Sequence, residues 1–244
     1  MNPVNLKCTL ILVALLLGYH ACAAPTPPTI VLFLVDDMGW QDTSVPFHAE
    51  RTPFNDHFRT PNMERLAKQG VKFTQAYAAA VCSPTRTSIM TGQNPIRHQV
   101  TNWTLNKDGE TSGKTARLQA PVNWKRNGLQ PDAITLPKLL QGAGYYTIHA
   151  GKAHWGAHDT PGSNPKNLGF DANIAGHAAG GPGGWYGKTN FGNNLDGTPT
   201  RPWGIPGLAH YYGKDCPLYT SCAADGPYIV RTVLCRPFQS HHNP

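Results

Sequence analysis

The sequence predicts an α/β fold, a mostly parallel central sheet flanked by helices, on three observations. An unbroken apolar and β-branched run, TIVLFLVDD (29–37), reads as a strand buried on both faces. Two stretches that open on Thr-Pro or Leu-Pro and close on Gly, TPNMERLAKQG (60–70) and ITLPKLLQGAG (134–144), read as helices. The second leads at once into a strand pattern, YYTIHAGK (145–152), so strands alternate with helices as βαβ units do.

The elements follow in chain order. Lys7, the apolar run TLILVALLLG (9–18) and the small residues ACAA (21–24) have the layout of a secretory signal peptide over 1–24. An apolar run of about ten residues is too short to span a bilayer, which takes about 20. Cleavage after Ala23 or Ala24 removes Cys8 and Cys22, and Tyr19-His20-Ala21 is a poor context for a lipid anchor on Cys22. The expectation is an exported chain, periplasmic or extracellular, without a stable membrane anchor. PTPP (25–28) is a spacer, and residues 38–59 form a surface loop. VKFTQAYA (71–78) alternates and reads as a strand. CSPTRTSIMTG (82–92) reads as a helix from about 84 to 91, with Ser83 as N-cap, Pro84 in the first helical position and Gly92 as stop. Residues 94–132 are loop-like. From 157 to 207 Gly, Pro and Asn dominate, so coil with short strands is expected.

Composition narrows the function classes. The chain has 244 residues, only 14% of them charged, with 25 Gly and 22 Pro, which points to a loop-rich globular fold. The net charge of +7 is spread along the chain and no nucleic-acid-binding module appears, so nucleic acid is excluded as partner and the basic surface at most draws in an anionic substrate. Of the cysteines beyond the leader, Cys216, Cys222 and Cys235 lie close together and can form a disulfide of undetermined connectivity. Cys82 stands apart.

Three stretches carry chemistry. Asp36-Asp37 ends the first strand, where open α/β sheets place their ligands, and two adjacent carboxylates ask for a cation such as Ca²⁺ or Mg²⁺. Cys82 lies just ahead of a helix N-terminus that favours anions, with Arg86 one turn on. Lys152 and His154 follow a strand and, as alternate residues, share a face, so a cation and an imidazole stand ready for an oxyanion and its proton. Taken singly, each also suits an ordinary cap, turn or solvated side chain.

Together the three stretches resemble the sulfatase family of the alkaline-phosphatase-like superfamily. Its Cys-x-Pro-x-Arg signature appears as Cys82-Ser83-Pro84-Thr85-Arg86, followed by Met90-Thr91-Gly92-Gln93. Its strand ending in Asp-Asp-x-Gly-Trp appears at 36–40, its Thr-Pro-Asn helix at 60–67, and its second signature as Gly144-Tyr145-Tyr146-Thr147 with Gly151-Lys152-Ala153-His154. Thr85 stands for the usual Ser, Gln93 for a frequent Arg and Ala153 for the usual aromatic. The resemblance implies that residues 25–219 are the N-terminal portion of a catalytic domain, with 220–244 an atypical tail and the fold incomplete at the C-terminus. No match is found for the family's later Asp-Asn pair, Lys and His; His241-His242 resembles such a neighbourhood only loosely.

The resemblance also implies a mechanism. A maturation enzyme oxidises Cys82 to formylglycine, whose hydrate attacks the sulfate of a small-molecule or carbohydrate ester. Asp36, Asp37 and the Cys82-derived group hold Ca²⁺, or Mg²⁺. Arg86 and Lys152 offset negative charge, and His154 takes the proton as sulfate is expelled. Two other readings stay open: a phosphoester or phosphonate monoester hydrolase of the same superfamily, and a non-catalytic fragment that binds an anion.

Overall fold

The computed structural model describes residues 27–110, 118–179 and 190–191, and the backbone of 229–237. The leader at 1–24, Cys216, Cys222 and His241-His242 lie outside the described residues. Four strands form one sheet: β1 (Ile30–Asp36), β2 (Tyr145–Ala150), β3 (Ala172–Ile174) and β4 (Ile229–Pro237), in the order β1-β4-β2-β3. β2 and β3 pair in parallel, Ile148 beside Ala172 and His149 beside Asn173. β4 runs antiparallel to both β1 and β2. β1, β2 and β3 therefore point one way and β4 runs against them, so the sheet is mostly parallel in strand direction. The carboxyl ends of β1 and β2 consequently emerge at the same edge, which brings Asp36 and the 151–154 loop together.

The helices are α1 (Pro61–Gln69), α2 (Cys82–Thr91), α3 (Pro95–His98) and α4 (Leu136–Gly142). α1 starts with Pro61 in its first turn and stops at Gly70, as its sequence requires. The hydroxyl of Thr60 does not cap it. Instead, Ser44 and Thr60 exchange backbone-to-hydroxyl bonds of 3.0 Å each, and the Ser44 hydroxyl donates to Glu64 at 2.5 Å. The 38–59 loop is thereby pinned to the start of α1. α3 is a single turn capped by the Asn94 side chain within the stretch read as loop. In the Gly- and Pro-rich part, the described residues hold two 3₁₀ turns, Pro161–Ser163 and Pro165–Leu168, and then β3.

The core of the described residues is small and is built by α2 together with the segments around 129, 153–155 and 168–170. Met90, Leu129, Ala153, Trp155, Leu168 and Phe170 form its buried cluster, with the Trp155 and Phe170 rings stacked at 5.6 Å. Burying a side chain the size of Met90, Leu129, Leu168 or Phe170 stabilises the fold by roughly 1.5–3 kcal/mol. Ala153 is only 1% exposed, so the position that carries an aromatic in the resembled pattern here lies in a tight part of the core.

Two expectations fail. Residues 71–78 form no strand: Val71, Phe73 and Tyr77 are 79%, 74% and 91% exposed, and no described strand pairs with them. Alternation sets which face a strand would bury, but a strand exists only where a neighbour accepts its backbone hydrogen bonds. Nor is β1 buried on both faces. Leu32 and Leu34 face α2 and α4, while Val31 and Phe33 are half exposed on the other side. Among the described residues, no helix is long and apolar enough to cross a membrane.

Candidate active site

The site is built where α2 meets the ends of β1 and β2. α2 begins earlier than its sequence suggests. Val81, extended at φ −137° and ψ 168°, occupies the N-cap position, so Cys82 is the first helical residue and Ser83 the second. Pro84 then falls third, where its missing N–H is one of the donors a helix start leaves unpaired anyway. Thr85 supports this start: its hydroxyl accepts the Ala79 N–H at 2.9 Å and donates to the Val81 carbonyl at 3.2 Å. Gly92 closes the helix in the left-handed conformation, as expected.

Cys82 is a free thiol, partly buried, with Sγ 3.2 Å from Nδ1 of His154. Four residues on, Arg86 is only 4% exposed. It donates through Nη2 to Asp36 Oδ2 at 2.7 Å and through Nη1 to the Lys152 carbonyl at 2.7 Å. Lys152 Nζ reaches the same Asp36 oxygen at 2.5 Å. Burial pushes the Asp36 carboxyl up, but the hydrogen bond from Lys152 and the charge of Arg86 outweigh it and hold the group down at about 2. Arg86 is pushed down by burial and supported by Asp36.

His154 is buried at 5% exposure, and its Nε2 has no hydrogen-bond partner among the described residues. Burial first, and then the charges of Lys152 and Arg86, lower it from 6.5 to about 3, so the ring is neutral at ordinary pH. Lys152 and His154 do meet at one site, but not by strand alternation. Both lie beyond β2, where Gly151 (φ 95°) and His154 itself (φ 56°) turn the chain, sending Lys152 to Asp36 and His154 to Cys82.

Asp36, Asp37, Cys82, Thr85 and Arg86 border one cleft of about 210 Å³, which Ala78, Ala79 and Ala80 also line. Asp37 is held there in the left-handed region at φ 63°. Two carboxylates on such a cleft are the donor chemistry of a hard divalent ion, which takes six or more oxygens. Among the described residues, no group of three or more His, Cys, Asp or Glu side chains gathers to hold a metal, and Asp36 and Asp37 by themselves do not complete a donor set for such an ion. The structure thus brings together Cys82, Arg86, Lys152, His154, Asp36 and Asp37.

Sequence reading missed Asp36 as the shared anion of two cations, and it missed His149. That residue is 2% exposed, with Nε2 3.2 Å from the Lys152 carbonyl oxygen. The available signal was a polar residue inside an apolar strand, two positions before Gly151.

Comparison with known proteins follows the same residues. The family model described as Sulfatase matches residues 28–204. An uncharacterized sulfatase of Schizosaccharomyces pombe is 33% identical over 160 residues, covering 65% of this chain and 26% of that protein. The N-acetylgalactosamine-6-sulfatase of Mus musculus is 34% identical over 182 residues, covering 74% of this chain and 29% of the relative. A solved structure, Ps i-CgsB in complex with k-i-k-neocarrahexaose, aligns at 28% identity and a TM-score of 0.43, over 64% of this chain and 29% of that one. The chain therefore spans between a quarter and a third of the length of these proteins.

Proposed function

Because the chain belongs to the sulfatase family, we propose that it serves sulfate-ester hydrolysis at the Cys82 cleft, with Cys82 converted to formylglycine by a maturation enzyme and Ca²⁺ or Mg²⁺ held in part by Asp36 and Asp37. The observation that carries this reading is the convergence of Cys82, His154, Lys152, Arg86 and Asp36, from three separate parts of the chain, on the N-terminus of α2. A formylglycine supplies paired hydroxyls, one nucleophilic toward sulfur and one serving sulfate release, and a divalent ion supplies positive charge. The rest falls to the chain's own side chains. Arg86 and Lys152, shielded from water, set positive charge where negative charge develops. Neutral His154 presents Nδ1 to the side chain at position 82, within reach to hold a proton. The backbone N–H groups that open α2 face the same anion.

The signal-like leader supports an exported protein, and the activity named for the mouse relative supports a sulfated carbohydrate over other small-molecule sulfate esters. The test is direct. The chain is produced with a maturation enzyme, the Cys82 peptide is weighed by mass spectrometry, and hydrolysis of aryl sulfate and aryl phosphate is compared with Cys82→Ala as control. Aldehyde at position 82 with sulfate turnover lost in the variant is the expected result. An intact thiol, or dominant phosphate turnover, overturns the reading.

A further inference from the structure

The Lys152 backbone carbonyl, at the hinge of the site, receives donors from two directions. Arg86 Nη1 approaches at 2.7 Å and His149 Nε2 at 3.2 Å, which matches the two lone pairs of a carbonyl oxygen. On the other side of the ring, His149 Nδ1 lies 3.1 Å from Oδ1 of Asn173, its neighbour in the parallel β2–β3 pairing. The Asn173 amide is fixed in orientation. Its Nδ2 donates to the Gly176 carbonyl at 2.8 Å, and its Oδ1 accepts the Gly176 N–H at 3.1 Å. Both atoms facing His149 are therefore acceptors. A neutral imidazole carries one N–H and satisfies one of them; an imidazolium satisfies both.

The surroundings fit a ring held in one orientation. It lies 4.9 Å from the Trp155 ring, edge on, and 5.3 Å from that of Phe170. Gly176 leaves no room for movement on its side, since a Cβ there would come within 2.4 Å of His149 Nδ1. Among the described residues, the charged groups lining the pocket beside His149 are Arg86 from α2 and Lys152 from the loop after β2, and both are paired with Asp36 of β1. β3 and the turn after it present the neutral Asn173 and Gly176, and the next residue of that turn, the titratable His177, accepts the His154 N–H at its carbonyl.

We infer that His149 is a positioning residue of the site, a doubly donating imidazolium that clamps the Lys152 carbonyl between itself and Arg86. The clamp sets the path of residues 151–154 and hence where Lys152 and His154 reach Asp36 and Cys82. It holds on the acid side of the ring's titration. As pH rises and Nε2 loses its proton, two lone pairs face each other and the loop loosens. The bearing of this clamp on sulfate-ester hydrolysis rests on the function proposed above; the clamp itself rests on geometry alone.

The experiment uses the full chain from a host without the maturation enzyme, so that position 82 stays a thiol. Imidazole ¹⁵N resonances, with His149 assigned by its loss in His149→Gln, report each ring nitrogen, and iodoacetamide reports the Cys82 thiol through its alkylation rate. Across about pH 5 to 8, where histidine ordinarily titrates, both His149 nitrogens are expected to be protonated at the acid end. The alkylation rate is expected to change with the loss of the Nε2 proton, and this step is expected to vanish in His149→Gln. A His149 ring singly protonated throughout, or an alkylation profile unchanged in the variant, overturns the inference. Where His149→Gln folds poorly, Asn173→Ala removes one acceptor and is expected to lower the ring's midpoint; an unchanged midpoint overturns the clamp. No readout uses turnover, so a chain inactive on sulfate esters leaves the result intact.

Discussion

At the scale of single residues, Asp36 is a buried anion whose oxygen Oδ2 is shared by the guanidinium of Arg86 and the ammonium of Lys152. Removing one partner of such a buried set leaves charge uncompensated, so Arg86→Met is expected to cost about 3–5 kcal/mol in denaturant unfolding. Arg86→Lys is expected to recover only part of this, because one ammonium lacks the planar fork that reaches both Asp36 and the Lys152 carbonyl. The titrations of Asp36 and His154 act on stability with the same sign. His154 falls from 6.5 to about 3 on folding, so between those values the unfolded chain binds a proton that the folded chain refuses, and stability drops as pH falls below 6.5. Asp36 goes from 3.8 to about 2, so its contribution is present above 3.8 and is lost as pH falls toward 2. Urea unfolding of the metal-free chain at a series of pH values is expected to show a decline that begins near neutrality, and His154→Gln is expected to remove its upper part.

At the scale of elements, two glycines near the site differ in what they permit. Gly92 ends α2 at φ 65° with nothing within 4 Å of where a Cβ would sit, so Gly92→Ala carries only the left-handed penalty of about 1–2 kcal/mol. Gly128 adopts φ 74°, and a Cβ there would lie 2.0 Å from the Trp155 carbonyl oxygen. It also bridges Gly156, tying the 121–130 loop to the segment just after His154. Gly128→Ala is therefore expected to lower the melting temperature far more than Gly92→Ala, with both read by calorimetry. α1, α2, α4, β1 and β2 were legible from local rules: Pro at the start, Gly at the end, and an apolar run between. The start of α2 at Cys82 was not, because Ser83 and Pro84 satisfy the capping pattern equally well two residues further on. The strand read at 71–78 failed because its alternation says nothing about whether a partner strand stands beside it.

At the scale of the whole molecule, large apolar side chains remain exposed: Phe33 and Val31 on β1, and Val71, Phe73 and Tyr77 along the extended segment after α1. Exposed apolar side chains drive association where they adjoin one another. Light scattering of the chain is expected to show concentration-dependent self-association, reduced when Phe73 and Tyr77 are replaced by Ser; unchanged association in that double variant would locate the contact elsewhere. The sequence by itself determined the fold class and singled out Cys82, Arg86, Lys152, His154, Asp36 and Asp37 as the candidates for chemistry. Those features are written in short stretches whose caps, runs and spacings are local. Only the tertiary structure decided that Arg86 and Lys152 share one oxygen of Asp36, that His154 is neutral against Cys82, and that His149 grips the Lys152 carbonyl. The first two depend on residues tens of positions apart that meet at one sheet edge, and on the burial that their meeting creates; the third joins residues three positions apart across the turn at Gly151.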